Sequence, residues 1–203
     1  MSVPGSEAGP RPRPLREEVE VKIPCGDLDT VREALGARGA ELSRARHFES
    51  NELFDDDERR LSAQGRTVRL RRAAGRAILT YKGVARFQGG IKTREERETE
   101  VSDPGETEAI LAGLGLVPRF RYEKYREEWR LEECSIALDE TPIGTFVEVE
   151  GSPPAIRKVL VQLELDFAAA LPYSYARLYR DRRQEDPSLP PDMVFPDSKR
   201  GGA

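Results

Sequence analysis

Between residues 15 and 182, apolar and charged side chains alternate in a series of short runs, separated by segments whose apolar residues recur at helical spacing. The first run, Glu18-Val19-Glu20-Val21-Lys22, sets the pattern. A period of two puts Glu18, Glu20 and Lys22 on one face of a β-strand and Val19, Val21 and Ile23 on the other. Residues 68–71 and 79–82 repeat the device with basic charge, placing Arg69, Arg71 and Lys82 on a common face. Residues 94–101 are less regular: Arg94, Glu96, Glu98 and Glu100 share one parity, and the other parity is mixed. From 122 to 131, Lys124, Arg126, Glu128 and Arg130 lie opposite Tyr125, Trp129 and Leu131, with Glu123 and Glu127 interrupting the apolar side. Residues 136–139 set Asp139 against aliphatic neighbours. Residues 145–150 return to the opening arrangement, Glu148 and Glu150 against Val147 and Val149.

The helical segments carry start and stop signals. Asp27 reads as the cap of a helix presenting Leu28, Val31 and Leu35, with Gly39 as its stop. Asp103, Pro104 and Glu106 have capping-box spacing ahead of Ile110, Leu111 and Leu114. Ser152-Pro153 opens a third helix with Ile156, Val159, Leu160 and Leu163 in register, and Ser174 starts a short last one with Tyr175, Leu178 and Tyr179. Each apolar stripe needs an apolar surface to lie on. Residues 15–182 therefore read as one domain. Residues 1–14 and 183–203, rich in Pro and polar residues, read as disordered tails.

Composition narrows the possibilities. Lys and Arg number 33 and Asp and Glu 37, a net charge of −4, so the global balance points neither to nucleic acid nor to an acidic membrane surface. The charged fraction is nonetheless 34%, and those charges lie inside the strand-like runs. Cys25 and Cys134 lack the paired spacing of a zinc or redox site. No apolar run approaches the ~20 residues of a membrane span and no signal-peptide core is present, so a cytoplasmic protein is expected.

The charges are sorted by sign, with carboxylates on the first and last strands and basic residues between them. An antiparallel sheet with one wet face also alternates. If instead the sheet closes into a barrel with helices on its apolar outside, the charges line a tunnel. Such a tunnel suits a guest of both signs: a divalent cation for the carboxylates and a linear polyanion for the basic wall.

The ordered set Glu18-x-Glu20-x-Lys22, Asn51 to Asp55, Arg69-x-Arg71, Lys82, Lys124-x-Arg126, Asp139, Gly144-Thr145-Phe146 and Glu148-x-Glu150 resembles the CYTH family, or triphosphate tunnel metalloenzymes. That family includes class IV adenylyl cyclases, thiamine triphosphatases and inorganic tripolyphosphatases. The resemblance implies an α+β fold, a closed eight-stranded antiparallel β-barrel with helices outside, with Mg²⁺ or Mn²⁺ at the acidic end. Carried over by motif, Glu18, Glu20, Asp139, Glu148 and Glu150 correspond to metal carboxylates, and Lys22, Arg69, Arg71, Lys82, Lys124 and Arg126 to the phosphate-binding set. Arg94 and Glu98 are further candidates, Arg94 on phosphate. Glu18, Glu20, Lys22, Arg69 and Arg71 form the implied catalytic set. Arg177 and Arg180 are candidates for a further basic contact.

The implied substrate is a small triphosphate: ATP, tripolyphosphate or thiamine triphosphate. Attack by the ribose 3′-hydroxyl on ATP would give cyclic AMP and pyrophosphate; attack by water would make a triphosphatase. Segments 121–126 and 142–146 resemble class IV cyclases and favour the first. A non-catalytic polyphosphate or nucleotide sensor is the alternative of another class. Nucleic acid and membrane are not expected partners. A homodimer is a family expectation for which no stretch of the chain marks a surface. His47, the only histidine, reads as structural or surface, with substrate contact or proton transfer as its functional alternative.

Overall fold

The computed structural model describes residues 16–196. The tail expected at 1–14, and residues 197–203 of the one expected at 183–203, lie outside the described residues. In chain order the elements are β1 (Arg16–Pro24), α1 (Leu28–Ala37), β2 (Glu41–Asp55), α2 (Arg60–Ala63), β3 (Thr67–Ala73), β4 (Arg76–Lys82), β5 (Arg86–Gln88), β6 (Ile91–Val101), α3 (Pro104–Gly113), β7 (Val117–Leu131), β8 (Cys134–Thr141), β9 (Gly144–Glu150), α4 (Pro153–Gln162) and α5 (Tyr175–Glu185). Strands run β1-β9-β8-β7-β2-β3-β4-β6, every pair antiparallel, and a β1–β6 pairing closes the ring into an eight-stranded barrel. β5 hangs from β6 as an extra edge strand. The wet-sheet alternative is thereby excluded, because the charged face has become an interior.

Register keeps one parity inside all the way round. Glu20 faces Glu150 and Lys22 faces Glu148. Glu49 faces Lys124, and Asn51 faces both Tyr122 and Arg71. Arg69 faces Thr80, which faces Glu98. The tight β3–β4 turn, Ala74-Gly75, has positive φ at both residues, 48° and 74°, the type I′ geometry that Gly accommodates.

The opposite parity makes the core. Val21, Ile23, Ile136, Leu138, Val147 and Val149 on the outer wall are covered by Leu28, Val31 and Leu35 of α1 and Ile156, Val159 and Leu160 of α4. Both helices start where the sequence signals them, with the Asp27 carboxylate accepting from the Asp29 N–H and the Ser152 hydroxyl from the Ala155 N–H. α3 departs from its expected stripe. Leu111 alone is buried, against Phe54, Leu70 and Ala77, whereas Ile110 and Leu114 are exposed.

On β7 the structure explains the interrupted apolar side, and at the C-terminal end it places more ordered chain than the sequence suggested. Glu123 and Glu127 break the apolar side of β7 because each is paired where it is buried. Glu123 accepts from Arg121 (2.6 Å) and the Phe195 N–H (3.0 Å), and Glu127 from Arg32 (3.0 Å) and Trp129 Nε1 (2.6 Å). The segment read as a tail from 183 runs on as the last turn of α5 and then returns along β7. Met193 exchanges backbone hydrogen bonds with Arg121 and Glu123, and its side chain is fully buried. Its prolines allow an extended path, and Met193 and Phe195 supply apolar anchors that a polar-rich composition conceals.

Candidate functional site

The bore is a cavity of about 700 Å³, a size that suits a small-molecule ligand. Its acidic wall is built by β1 and β9, where Glu20 lies directly opposite Glu150. Like charges in that position repel unless a cation intervenes. In the structure lysines and arginines serve: Glu20 pairs with Lys92, Glu148 with Lys22 and Arg126, and Glu18 with Lys82 at 2.8 Å. Burial alone would raise the Glu18 carboxyl, but Lys82 and Lys92 outweigh it and hold its pKa at about 2. Glu96, 3.1 Å from Lys82, goes the other way. Burial, reinforced by the Glu18 charge and only partly offset by Lys82, pushes it up to about 7. The two carboxyls share one lysine and titrate as a unit.

The basic wall comes from β3, β4, β6 and β7. Arg69, 9% exposed, reaches Thr80 Oγ1 and Glu98 at 3.2 Å. Arg71 lies 3.6 Å from Glu49 and 3.7 Å from Glu98. Lys124 is 3.0 Å from Asp139 and 3.6 Å from Glu49, and Arg94 donates to the Gly83 carbonyl at 2.8 Å. The sequence-derived set of Glu18, Glu20, Lys22, Arg69, Arg71, Lys82, Arg94, Lys124, Arg126, Glu148 and Glu150 thus converges on one cavity. Arg177 and Arg180 line it as well, Arg177 bonded to Asp181 at 2.8 Å.

Asp139 stands apart from the carboxylates with which sequence reasoning grouped it. It is fully buried on the basic side and accepts from Lys124, from Arg126 Nε at 2.7 Å and from the Tyr175 hydroxyl at 2.7 Å. With its oxygens so engaged, it orients the two cations.

Other inward-facing residues had no site role assigned from sequence, although Asn51 stands in the motif set and His47 was weighed for substrate contact. Glu49 is 1% exposed and Asn51 is fully buried, and neither side chain has a hydrogen-bond partner among the described residues. Lys92 supplies the counter-ion of Glu20. Tyr175 reads in sequence as a helix core residue, yet its ring lies 3.7 Å from Lys22 Nζ and packs on Phe146 and Tyr122, so α5 sends a side chain into the bore. β2 offered no parity signal: its inward row His47, Glu49, Asn51 is polar, but the outward row Phe48, Ser50, Glu52 is mixed. His47 faces inward, Nε2 3.5 Å from Glu49 and Nδ1 2.9 Å from the Ala45 carbonyl.

The donors on β1 and β9 are carboxylate oxygens, the chemistry a hard divalent ion requires. Among the described residues no three acidic, His or Cys side chains are gathered tightly enough to share an ion. The lysines lie between them, and the opposed Glu20–Glu150 pair is the arrangement in which an ion could replace them.

The fold is thus a closed antiparallel barrel whose interior sets carboxylates against arginines and lysines. Residues 16–171 match the CYTH domain family, and the chain belongs to it. This family uses divalent metals generally and binds small triphosphate substrates. Among solved structures, a Pyrococcus horikoshii protein is 27% identical with a TM-score of 0.70, over 82% of this chain and 99% of that one. A Vibrio parahaemolyticus protein whose adenylate cyclase name is provisional is 21% identical with a TM-score of 0.69, over 80% and 97% of the two chains. A Hippeastrum protein named as an adenylyl cyclase and described with a dominant triphosphatase activity is 20% identical with a TM-score of 0.62, over 81% and 96%. These last two likenesses show the fold. A comparison with curated proteins finds no match.

Proposed function

We propose that the chain is a metal-dependent enzyme that cleaves a linear triphosphate lodged in the bore, with water as the attacking group. The observation that carries this reading is the inward row itself, charged along its length and divided into an acidic β1–β9 wall and a basic wall. Phosphate oxygens would replace Glu96, Glu98 and Glu49 as partners of Lys82, Arg69 and Arg71. Arginine forks match phosphate in pairs of parallel hydrogen bonds, and lysine supplies compact charge. Because those cations already have carboxylate partners, affinity is the difference between two well-paired states.

Glu18, Glu20, Glu148 and Glu150 would hold Mg²⁺ or Mn²⁺, which when bound neutralises charge on the phosphate and makes a nucleophile available at neutral pH. Asp139 keeps Arg126 and Lys124 aimed at the chain. Lys22 lies between Glu148 of the acidic wall and the Tyr175 ring of α5. The leaving phosphate departs with its charge matched by the basic side chains, so positioning and electrostatics do the work.

Cyclisation of ATP is the second reading, favoured by the likeness of segments 121–126 and 142–146 to class IV cyclases. Incubating the protein with Mg²⁺ or Mn²⁺ and, separately, tripolyphosphate, ATP and thiamine triphosphate, then resolving the products, distinguishes the two. Orthophosphate release is expected; cyclic AMP from ATP would replace hydrolysis by cyclisation. Glu148→Gln and Arg69→Ala should each slow turnover about 10²- to 10³-fold, the scale for removing one preorganised electrostatic contact. If neither changed rate or phosphate affinity, the tunnel reading would be wrong.

A further inference from the structure

Past Leu53 on β2, Thr67 on β3 and Phe120 on β7 lies a second cavity, of about 280 Å³. It shares a wall with the bore through Leu53, Ser62, Arg66, Thr67, Ala176 and Arg180. We propose that this chamber is a second anion site, and that it receives the part of a linear inorganic polyphosphate extending beyond the three phosphates held in the tunnel. The inference rests on the tunnel reading above and adds to it a preference for chains longer than tripolyphosphate.

The argument is one of unbalanced charge. Arg59, Arg66, Arg119, Arg180 and Arg183 line the chamber, and Asp55 is its one carboxylate. Asp55 is fully engaged by backbone: Oδ1 accepts from the Asp56 and Leu61 N–H groups and Oδ2 from that of Ser62, each at 2.9 Å. Arg119 pairs with Asp57, but its Nε is buried without a hydrogen-bond partner among the described residues. Arg59, Arg66 and Arg180 make no ion pair among the described residues, whereas bore cations such as Lys22, Lys82 and Arg126 all have carboxylate partners. Arg59, Arg66 and Arg180 are all exposed, so water and salt screen their repulsion, and their gathered charge is open to an anion.

Arg59 adds a second observation. Its backbone is left-handed, φ 57°, a conformation that costs energy for so large a side chain and that concentrates at binding sites. The aromatic wall is committed to packing. Phe120 lies 6.1 Å from the Tyr122 ring and 5.9 Å from that of Tyr179, whose hydroxyl donates to the Pro190 carbonyl at 2.8 Å. The guanidiniums are therefore the charged groups left to recognise a ligand, and their paired donors match phosphate oxygens.

The test is binding in EDTA, by calorimetry, of tripolyphosphate, ATP and a polyphosphate of about 15 phosphates, long enough to occupy both spaces. The longer chain is expected to bind about tenfold tighter than tripolyphosphate, as charge-assisted contacts accumulate. Arg59→Asn, which tolerates the left-handed backbone, should leave tripolyphosphate affinity unchanged and weaken the long chain about 3- to 10-fold, with a shallower salt dependence. Arg59→Lys, which keeps the charge, should preserve most of the length preference. Equal affinity for both lengths, or an Arg59→Asn loss shared equally by both, would overturn the chamber while leaving the tunnel intact. ATP binding tighter than tripolyphosphate and weakened by Arg59→Asn would put a nucleoside there instead and overturn the inference. Failure of wild-type protein to bind tripolyphosphate both in EDTA and with Mg²⁺ restored would overturn the tunnel reading and this one with it.

Discussion

Glu49 shows how a single buried charge is held. Burial would raise its carboxyl pKa, but Lys124, His47, Arg126 and Arg71 keep it well below the usual range. The converse is that the Glu49 carboxylate, with the Ala45 carbonyl, raises the pKa of His47 against the opposing effect of burial. His47 is the only histidine in the chain, so its ring protons give one NMR titration curve. Its midpoint is expected above the ordinary value of about 6.5 and should fall back towards it in Glu49→Gln. Because the native pKa is the higher one, the stability that His47 contributes is fully present below about 6.5 and is lost as pH rises through the native midpoint. The stability difference between wild type and His47→Gln, measured by urea unfolding, should therefore shrink as pH rises from about 6.5 through the native midpoint. A midpoint at or below the ordinary value would show that Glu49 does not govern this ring. Neither residue's role was legible in sequence, since a glutamate two residues from a histidine in a mixed run carries no parity signal.

The elements divide by how cleanly one face is covered. β1 and β9 were readable because their outer valines lie under α1 and α4 while their inner glutamates line the bore, so the period of two is unbroken. β6 was blurred for a physical reason: Arg97 and Thr99 on its outer face are exposed, so nothing there demands apolar side chains. The short α2 and β5 have too few residues to show any period. α4 obeyed its pattern, and its weight can be measured. Leu160 is 1% exposed against the barrel wall, and Leu160→Ala should cost about 2–5 kcal/mol in chemical denaturation, the range for deleting a buried leucine side chain. Val161, one residue on, is 79% exposed, so Val161→Ala should stay within about 0.5 kcal/mol. Equal losses at both sites would contradict the packing of α4.

At the scale of the molecule, closure turns a charged sheet face into a binding cavity and links ligand binding to stability. Anything that binds the native barrel and not the unfolded chain stabilises it. Tripolyphosphate at about 100 times its Kd should add about 2.7 kcal/mol, which for a chain of 203 residues corresponds to roughly 5–10 °C in Tm. Salt should diminish the shift, because the contacts are charge on charge. A Tm indifferent to tripolyphosphate would mean that the bore does not bind it.

The partition of the chain into an apolar outward parity and a charged inward one, the order of acidic and basic strands, and the cap-marked helices were determined by sequence alone. These are local properties, set by the two-residue period of a strand and the hydrogen-bonding chemistry of helix ends. Only the tertiary structure decided which charges meet. The β1–β6 pairing that makes an interior joins residues far apart in the chain. Register placed Glu20 against Glu150 and aimed Asp139 at Lys124 and Arg126, away from the acidic wall. Helix α5 added Tyr175 to the bore, and Arg180 and Arg183 to the chamber beyond it. Spacing along a strand says which side a charge faces; which partner it finds there depends on closure and register, and no short stretch of sequence contains those.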